Sequence, residues 1–391
     1  MCFVRQGSRC VVRVLICNAR MSERAGSELA TFEFARHYRN SGHDVAIFTL
    51  LPAAFAEIAS AKFGIPVFDL ANRRELQDFA PDLIHVHHWP TIVALEALGI
   101  RAPWFIGFLG FVPPLENPPP MVGSATVPWW TLNDVIEGHV NSITGWSSNE
   151  HVVVGNWFDD EEIPRCDELG DIRLGRLLVV SNHFPSERWE QLRRVCEERN
   201  ITIDRVGLPQ GSVEVNADFL RRYDGVITLG RTALMAMAMG KPTLLLDHYG
   251  ADGWVLPENL PMLARHNFSG RWQRLDPTDD QLHEWISQPP SSDQLLAVSQ
   301  WAFENARLSS AFRKISQLAL SASSEPPSTV FGTGILAVGE LLNELTIKKN
   351  HEIAVLVSAT KVMANKVQGS SRRTIPRMLD RFRSRLFVER Q

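Results

Sequence analysis

Short apolar runs alternate with amphipathic stretches along the first 90 residues of the chain. The apolar runs have the length of buried strands, and the longer stretches repeat apolar residues at helical spacing. This pattern predicts strands at residues 11–17, 44–50, 66–70 and 82–87, and helices at residues 27–39, 52–63 and 73–79. Such β-α-β units predict a parallel, doubly wound sheet whose ligand crevice lies at the carboxyl ends of the strands.

A second alternating series of the same kind begins near residue 176. It predicts strands at residues 177–181, 201–206, 225–229 and 243–246, and helices at residues 186–199, 217–223 and 233–239. Two open α/β sheets in tandem, each with its own core, predict a cleft between them. We therefore expect one domain at residues 1–165, a second at residues 166–320, and a linker, helices and a tail at residues 321–391.

The segment after the strand at residues 225–229 carries the strongest chemical signal. Gly230 permits a sharp turn, and Arg231 and Thr232 then open an apolar helix. The free N–H groups of a helix start suit an anion such as a diphosphate, and Arg231 adds a permanent charge. Asp247 ends the next strand, so it is predicted to lie at the same crevice.

Three histidines, His85, His87 and His88, stand at the end of the strand predicted at residues 82–87. The alternation of a strand sends His85 and His87 to one side and His88 to the other. Histidines titrate near neutral pH, so a catalytic contact, a metal site and a structural role are all open. No carboxylate or cysteine follows at ligand spacing, which argues against the metal site.

Residues 102–130 interrupt the alternation with seven prolines and three tryptophans. A long proline-rich loop inside a compact domain is usually functional or mobile. Two interpretations are open for this segment. In one, the tryptophans pack on the core beneath a rigid surface loop; in the other, Trp129 and Trp130 stack on the apolar faces of an acceptor sugar.

Composition narrows the class of partner. An apolar fraction of 45% and a charged fraction of 21% are typical of a soluble globular protein, and a net charge of −4 gives no reason to expect nucleic acid as the main partner. Neither a signal peptide nor a membrane span is visible in the sequence. Five cysteines without a C-x-x-C pair favour reduced thiols in a cytoplasmic protein.

The C-terminal tail is the exception to this charge balance. Residues 346–391 carry eleven Lys or Arg against three acidic residues, with apolar residues among the arginines. One interpretation is an amphipathic helix that makes a peripheral contact with the inner face of the membrane. The other is a solvated helix that packs on its own domain.

Four segments together carry a family likeness. Residues 23–49, ERAGSELATFEFARHYRNSGHDVAIFT, contain a glycine loop that opens a helix and a Gly-His-x-Val turn before the second strand, and residues 81–88, PDLIHVHH, form a strand that ends in histidine. Residues 235–247, MAMAMGKPTLLLD, are similar to the signature Glu-Ala-Met-Ala-x-Gly-x-Pro-Val, and residues 267–271 read NFSGR. Over residues 11–290 the chain resembles the GT-B glycosyltransferases, most nearly the retaining "group 1", family 4-like bacterial enzymes.

The resemblance implies a fold and a reaction. The fold would be GT-B: a Rossmann-like acceptor domain followed by a Rossmann-like nucleotide-sugar, or donor, domain. The reaction would move a sugar, as in a hexosyltransferase, from a nucleotide diphosphate sugar to a glycan, lipid-linked or protein acceptor. The resemblance implies no cofactor beyond the nucleotide sugar and no bound metal.

Acceptor-side candidates come from the first domain. Gly26 and Ser27 open its first helix, and the resemblance places this loop at the cleft, where its backbone and hydroxyl donors would meet the acceptor or the transferred phosphate. The alternative for these two residues is an ordinary N-cap. We expect one of His87 or His88 to touch the sugar.

Donor-side candidates follow strand ends in the second domain. Asn182 and His183 end its first strand and are placed to meet the donor. Gly207 ends the next strand, where the backbone either approaches the nucleotide base or forms a plain turn. Asp252, in the glycine-rich loop predicted at residues 249–253, either accepts a hydrogen bond from a sugar hydroxyl or forms a turn.

Two departures from the family pattern change the expected donor contacts. Two glutamates eight residues apart flank the donor sugar and ribose in the family, and the corresponding positions here are Ile227 and Met235. The basic pair that commonly holds the diphosphate is missing from residues 177–186, so we expect Arg231 to supply that charge. A carboxylate nucleophile from that motif is therefore not expected, and retention or inversion stays open.

Two other functions remain alternatives to sugar transfer. One is a GT-B relative that acts differently on nucleotide-linked substrates, such as an epimerase or a polyol-phosphate transferase. The other is a non-catalytic GT-B protein that binds a nucleotide sugar or a partner protein. Ile227 and Met235 favour the second of these.

Overall fold

The computed structural model describes residues 11–21, 26–52, 54–110, 115–116, 127–144, 146, 150–166, 168–207 and 213–322. Outside them lie Cys2, Cys10, about half of the proline-rich segment, nearly all of the linker predicted at residues 321–328, the later predicted helices and the basic tail. Within the described ranges every helix is too short or too polar to cross a membrane. The three described cysteines, Cys17, Cys166 and Cys196, are free thiols.

A seven-stranded sheet forms the first half of the fold. The strands of this half are Arg13–Cys17 (β1), Arg20–Met21 (β2), Asp44–Phe48 (β3), Leu51–Pro52 (β4), Val67–Phe68 (β5), Leu83–Val86 (β6), Trp104–Phe108 (β7), Trp129–Thr131 (β8) and His151–Val153 (β9). The sheet runs β5-β3-β1-β6-β7-β8-β9 with every pair parallel, and β2 and β4 pair separately. The order reverses between β1 and β6, so the crevice of a doubly wound sheet opens there.

Five helices connect these strands. They are Gly26–Asn40 (α1), Ala54–Phe63 (α2), Arg73–Phe79 (α3), Pro90–Ala97 (α4) and Asp134–Thr144 (α5). Helix α3 has the predicted bounds, whereas the helix predicted from residue 52 begins later because Leu51–Pro52 pairs with Arg20–Met21. The spacing of Leu29, Phe32, Ala35 and Tyr38 predicts one buried face of α1; the last three are buried, whereas Leu29 is 36% exposed.

A five-stranded sheet forms the second half. Its strands are Arg176–Val180 (β10), Thr202–Val206 (β11), Gly225–Thr228 (β12), Thr243–Asp247 (β13) and Gly250–Trp254 (β14). They run β11-β10-β12-β13-β14, the first four parallel and β14 antiparallel to β13. The loop predicted at residues 249–253 was therefore wrong for most of its length. Gly250 and Gly253 take positive φ angles of 125° and 78°, which only glycine adopts readily, so a glycine-rich segment here forms an irregular strand instead of a turn.

Helices cover both faces of this second sheet. The helices of this half are Ser186–Glu197 (α6), Ala217–Leu220 (α7), Gly230–Ala238 (α8), Leu260–Arg265 (α9), Asp279–Ser287 (α10), Ser292–Asn305 (α11) and Leu308–Ala319 (α12). Leu192 of α6 and Leu282 of α10 share one core with alternate strand residues, while Met237 of α8 and Val298 of α11 belong to another. The predicted doubly wound α/β architecture is confirmed.

The last described helix, α12, packs on the first half of the fold. The ring of Phe312 lies 4.7 Å from the ring of Tyr38 on α1, and Leu308 N–H donates to the Phe158 carbonyl at 2.9 Å. The chain thus crosses back to the first sheet after completing the second. The domain boundaries at residues 165 and 320 stay predictions.

Candidate active site

A cleft of about 520 Å³ is lined by residues from both halves of the fold. The ends of the parallel strands β10, β11, β12 and β13 open into it, because carboxyl ends of parallel strands meet at one edge of a sheet. The sheet order reverses between β10 and β12, which makes this edge the crevice of the second sheet. Opposite it, helices α1 and α2 supply the wall from the first half.

Seven residues that the sequence singled out meet in this cleft. They are Gly26, Asn182, His183, Gly207, Arg231, Thr232 and Asp247. All except Gly26 follow or end a strand of the second sheet. The strand-end argument therefore places six of the donor-side candidates together.

Gly207 has a structural reason to be glycine. Its φ is +107°, and a Cβ at this position would lie 2.2 Å from the carbonyl oxygen of Ser181. The backbone that follows β11 is therefore in close contact with the backbone that follows β10, and any residue larger than glycine at position 207 would push the two segments apart. This close approach keeps Asn182 and His183 at the floor of the cleft.

Three other candidates are not among the described lining residues of the cleft. Gly230 has a φ of +58° and makes the predicted turn, but its N–H donates to the Phe268 carbonyl at 2.8 Å and is not free for an anion. Ser27 donates its hydroxyl to Glu28 at 2.8 Å. Asp252 is buried and accepts from the Gln273 N–H at 2.8 Å, so the prediction that it meets a sugar hydroxyl is contradicted by its burial on β14.

The histidine cluster is buried away from the cleft. His85 and His87 do lie on the same side of β6 as predicted, with ring centroids 4.7 Å apart. The Nδ1 of His87 lies 2.9 Å from the Thr31 hydroxyl, and the Nε2 of His85 accepts from the Trp130 indole at 3.0 Å. Neither His87 nor His88 is among the described residues that line the cleft.

The electrostatics of these histidines argue against acid–base work. Burial lowers the pKa of His85 and of His88 to about 3, and burial together with His85 and His88 lowers the pKa of His87 well below its ordinary value. A general base works best with a pKa near the operating pH. The catalytic roles predicted for His87 and His88 are therefore contradicted, because their packing among aromatic rings removes both access and basicity.

Acid should destabilise the protein through these same histidines. The unfolded chain binds protons below pH 6.5 while the folded chain stays neutral down to about pH 3, so stability falls as the pH falls through that window. We expect each such histidine to cost about 2 kcal/mol of unfolding free energy between pH 6.5 and pH 5. Urea unfolding at pH 7 and pH 5 measures this loss of unfolding free energy. In His88→Asn, the difference between the two pH values should be smaller by the contribution of one histidine. An unfolding free energy that is the same at both pH values would contradict the buried neutral state.

Trp129 and Trp130 belong to the core. Both side chains are 0% exposed on β8, and the indole of Trp129 stacks on His151 with ring centroids 4.5 Å apart. Trp130 fills the space above Gly107, where a Cβ would lie 2.1 Å from the indole ring. The structure thus supports packing on the core and contradicts the stacking of these rings on a sugar, because no face of either ring reaches solvent.

An ion pair crosses the cleft at the start of α8. Arg231 pairs with Glu33 of α1, and the guanidinium lies 5.7 Å from the centroid of the Trp157 ring. The Trp157 indole N–H donates to the other oxygen of Glu33 at 2.8 Å. The Nη2 group of the guanidinium is paired with Glu33, whereas the Nη1 group is buried and has no hydrogen-bond partner among the described residues.

Glu33 and Trp157 were missed from the sequence, but Glu33 left a signal. Gly26, Leu29, Glu33 and Arg36 all line the cleft and follow one another at spacings of three, four and three residues. These spacings mark one face of α1. Only the apolar positions of this helix were used to predict it from the sequence, and Glu33 and Arg36 were therefore not singled out.

Asp247 organises the floor of the cleft. Its carboxylate accepts from the Ser181 hydroxyl at 2.7 Å and from the His248 N–H at 2.7 Å, and the same Ser181 oxygen accepts from the His183 N–H at 3.0 Å. These bonds fix the loop that carries Asn182 and His183. Asp247 therefore acts on the site through the loop backbone, and Ser181 was not predicted.

One group of side chains has the composition of a metal site. Ligand atoms of His37, Asp159 and Glu161 lie within 4.8 Å of one another. However, the Arg36 guanidinium pairs with Asp159 and lies 2.9 Å from Glu162. Because a guanidinium already occupies this carboxylate, we assign no metal to the group.

Comparison with known proteins identifies the fold. No protein-family model matches the sequence, and no curated protein sequence matches it either. Among solved structures, the chain is similar to a glycosyltransferase from Rickettsia africae, with a TM-score of 0.55 at 12% identity over 80% of this chain and 100% of that one. It is also similar to Arabidopsis thaliana UGT89C1 complexed with UDP-L-rhamnose, with a TM-score of 0.48 at 13% identity over 79% of this chain and 98% of that one. With two tandem Rossmann-like sheets and a cleft, the chain has the GT-B fold.

Proposed function

We propose that this protein transfers a sugar from a nucleoside diphosphate sugar to an acceptor within the cleft. The observation that carries the proposal is Arg231, a partly unsatisfied guanidinium on the first turn of α8, at the switch point of a doubly wound sheet. A helix start beside a guanidinium at this place is suited to a diphosphate. The GT-B fold shared with a solved glycosyltransferase supports the same reaction.

The donor diphosphate would take the place that Glu33 holds at Arg231. Both are oxyanions, and a diphosphate offers more charge and more acceptor atoms than one carboxylate. Charge that develops on the departing diphosphate would be offset by Arg231 and by the N–H groups of the first turn of α8. The sugar would then lie against Asn182, His183 and the backbone of Gly207, on the floor that Asp247 orders.

Glu33 gains a role from this exchange. Released by Arg231, Glu33 would be a carboxylate inside the cleft that keeps one hydrogen bond, from the Trp157 N–H. It is then the group best placed to accept a proton or a hydrogen bond from the acceptor hydroxyl, in place of His87 and His88. Gly26 lies on the same face of α1 and leaves room beside it, since a Cβ there would meet no atom within 4 Å.

A panel of nucleotide sugars tests the proposed reaction. The full chain is incubated with UDP-, GDP- and dTDP-sugars, and both thermal stabilisation and nucleotide release are measured. Sugar transfer predicts that one donor stabilises the protein and that its nucleotide is released. Stabilisation without release across donors and acceptors would overturn catalysis and support the non-catalytic alternative. That alternative is favoured by Met235, which lines the cleft where the family has a glutamate.

The proposed reaction should not need a divalent metal. Arg231 and the start of α8 already supply positive charge to the diphosphate, which is the task that a metal performs in other transferases. We expect EDTA to leave the rate of nucleotide release unchanged. A rate that falls in EDTA and returns with Mg²⁺ or Mn²⁺ would contradict this assignment.

A further inference from the structure

The wall of the cleft formed by α1 and α2 carries an apolar cluster, Leu29, Phe32, Phe55, Ile58 and Phe63, beside the charged Glu33 and Arg36 of α1. Two of these side chains are unusually open for their type: Ile58 is 57% exposed and Leu29 is 36% exposed. Single exposed apolar residues are ordinary, but a cluster that faces a cavity marks a binding surface.

The aromatic part of this wall is packed and preformed. The Phe32 ring lies 5.6 Å from Phe55 in an edge-to-face contact and 6.0 Å from Phe63. Phe32 itself is buried and anchors the other two rings to α1. The wall therefore needs no rearrangement to present an apolar surface.

The lining that α2 contributes is less polar than the strand ends of the second sheet. The strand ends of the second sheet present Asn182, His183, Arg231 and Thr232, whereas the described lining from α2 has one charged residue, Lys62. Lys62 is engaged with Glu214 at 2.7 Å across the cleft. A sugar placed against α2 would therefore leave its hydroxyl groups without partners there, and this is costly for a polar ligand.

We propose that this wall binds the acceptor, and that the acceptor is an aromatic or fused-ring alcohol. The proposal rests on the sugar transfer proposed above, because it assigns the second substrate of the same cleft. A cavity of about 520 Å³ has the size of a small-molecule site, and the apolar cluster shares that cavity with Glu33 and Arg231. An apolar ring held on this wall would point its hydroxyl towards the Glu33 carboxylate.

A fluorescent phenol, 4-methylumbelliferone, tests the wall directly. Its dissociation constant is measured by fluorescence titration of the full chain and of Ile58→Asn and Leu29→Asn. Ile143→Asn is the matched control, since Ile143 is 54% exposed on a helix outside the described lining. We expect Ile58→Asn to weaken phenol binding by about tenfold, because an exposed isoleucine is lost from the contact, and Ile143→Asn to leave it unchanged.

UDP titration of the same variants separates the two proposals. Both Ile58→Asn and Ile143→Asn should bind UDP as the wild type does. If UDP, GDP and dTDP all fail to bind while phenol binding depends on Ile58, the apolar site stands and the donor assignment falls. If UDP binds while phenol binding is equal in Ile58→Asn and Ile143→Asn, or while glucose binds more tightly than the phenol, the apolar acceptor is overturned. If the phenol does not bind and the protein instead sediments with anionic vesicles in a way that depends on Ile58, the aromatic acceptor is overturned and the apolar cluster is a membrane contact.

Discussion

Arg231→Ala should weaken the binding of a nucleoside diphosphate by about 30- to 150-fold. The guanidinium is 22% exposed and lies on the first turn of α8, so the lost charge-assisted bonds are worth about 2 to 3 kcal/mol. Isothermal titration of UDP, GDP and dTDP into the wild type identifies the nucleotide that binds most tightly, and the variants are compared with that ligand. Arg231→Lys is the matched variant, because it keeps the charge but loses the bidentate geometry.

Glu33→Gln should act in the opposite direction. The amide cannot compete for Arg231 as a charged carboxylate does, so nucleotide binding becomes tighter while the Trp157 N–H keeps an acceptor. Turnover should fall at the same time, since the proposed proton acceptor is lost. If Glu33→Gln weakens nucleotide binding as much as Arg231→Ala does, the ion pair supports the fold and is not displaced by the donor.

Trp130→Ala should lower the free energy of unfolding by about 3 to 5 kcal/mol, the cost of emptying a large buried aromatic site. The indole fills the space over Gly107, and its N–H donates to His85 at 3.0 Å. Urea unfolding measures the loss, and Trp130→Phe should lose less because most of the ring remains. Nucleotide affinity should be unchanged wherever the variant is folded. Unchanged stability with reduced transfer would restore Trp130 to an acceptor-binding role.

The alternation of apolar and amphipathic stretches was sufficient to predict four of the seven strands in the first sheet and the four parallel strands of the second. A buried parallel strand has to be a short apolar run, and the connecting helices have to be amphipathic, so the order of elements follows from local pattern. The sequence pattern failed to predict strands whose residues favour turns locally but are paired into a sheet by the rest of the fold. Gly250 and Gly253 favour a turn locally but form β14 against β13, and Pro128 with the proline-rich stretch before it hid the strand at Trp129–Thr131.

The part of the candidate site that the second sheet supplies could be predicted from the order of strands and helices. Asn182, His183, Arg231 and Thr232 follow parallel strands, and the carboxyl ends of parallel strands share an edge. Burial of His87 could not be read from its strand, because it depends on the rings of Phe34 and Trp130, which are distant in sequence.

The contact of Glu33 with Arg231 could not be predicted from the sequence, for a different reason. The two residues are 198 positions apart and lie on different halves of the fold. No local pattern connects two such positions. Residues at a strand end can be identified as site candidates from one segment of sequence. A pair of residues that meet across the cleft can be identified only when the positions of both halves of the fold are known.

Transfer to the acceptor, followed by mass spectrometry, tests sugar transfer in this cleft most directly. The full chain is incubated with the donor that stabilises it and with 4-methylumbelliferone, and both the acceptor mass and the released nucleotide are measured. The account predicts that the acceptor gains one sugar for each nucleotide released, and that Arg231→Ala greatly lowers both signals at the same donor concentration. Nucleotide release without any gain in acceptor mass, or transfer at the wild-type rate in Arg231→Ala, would contradict it.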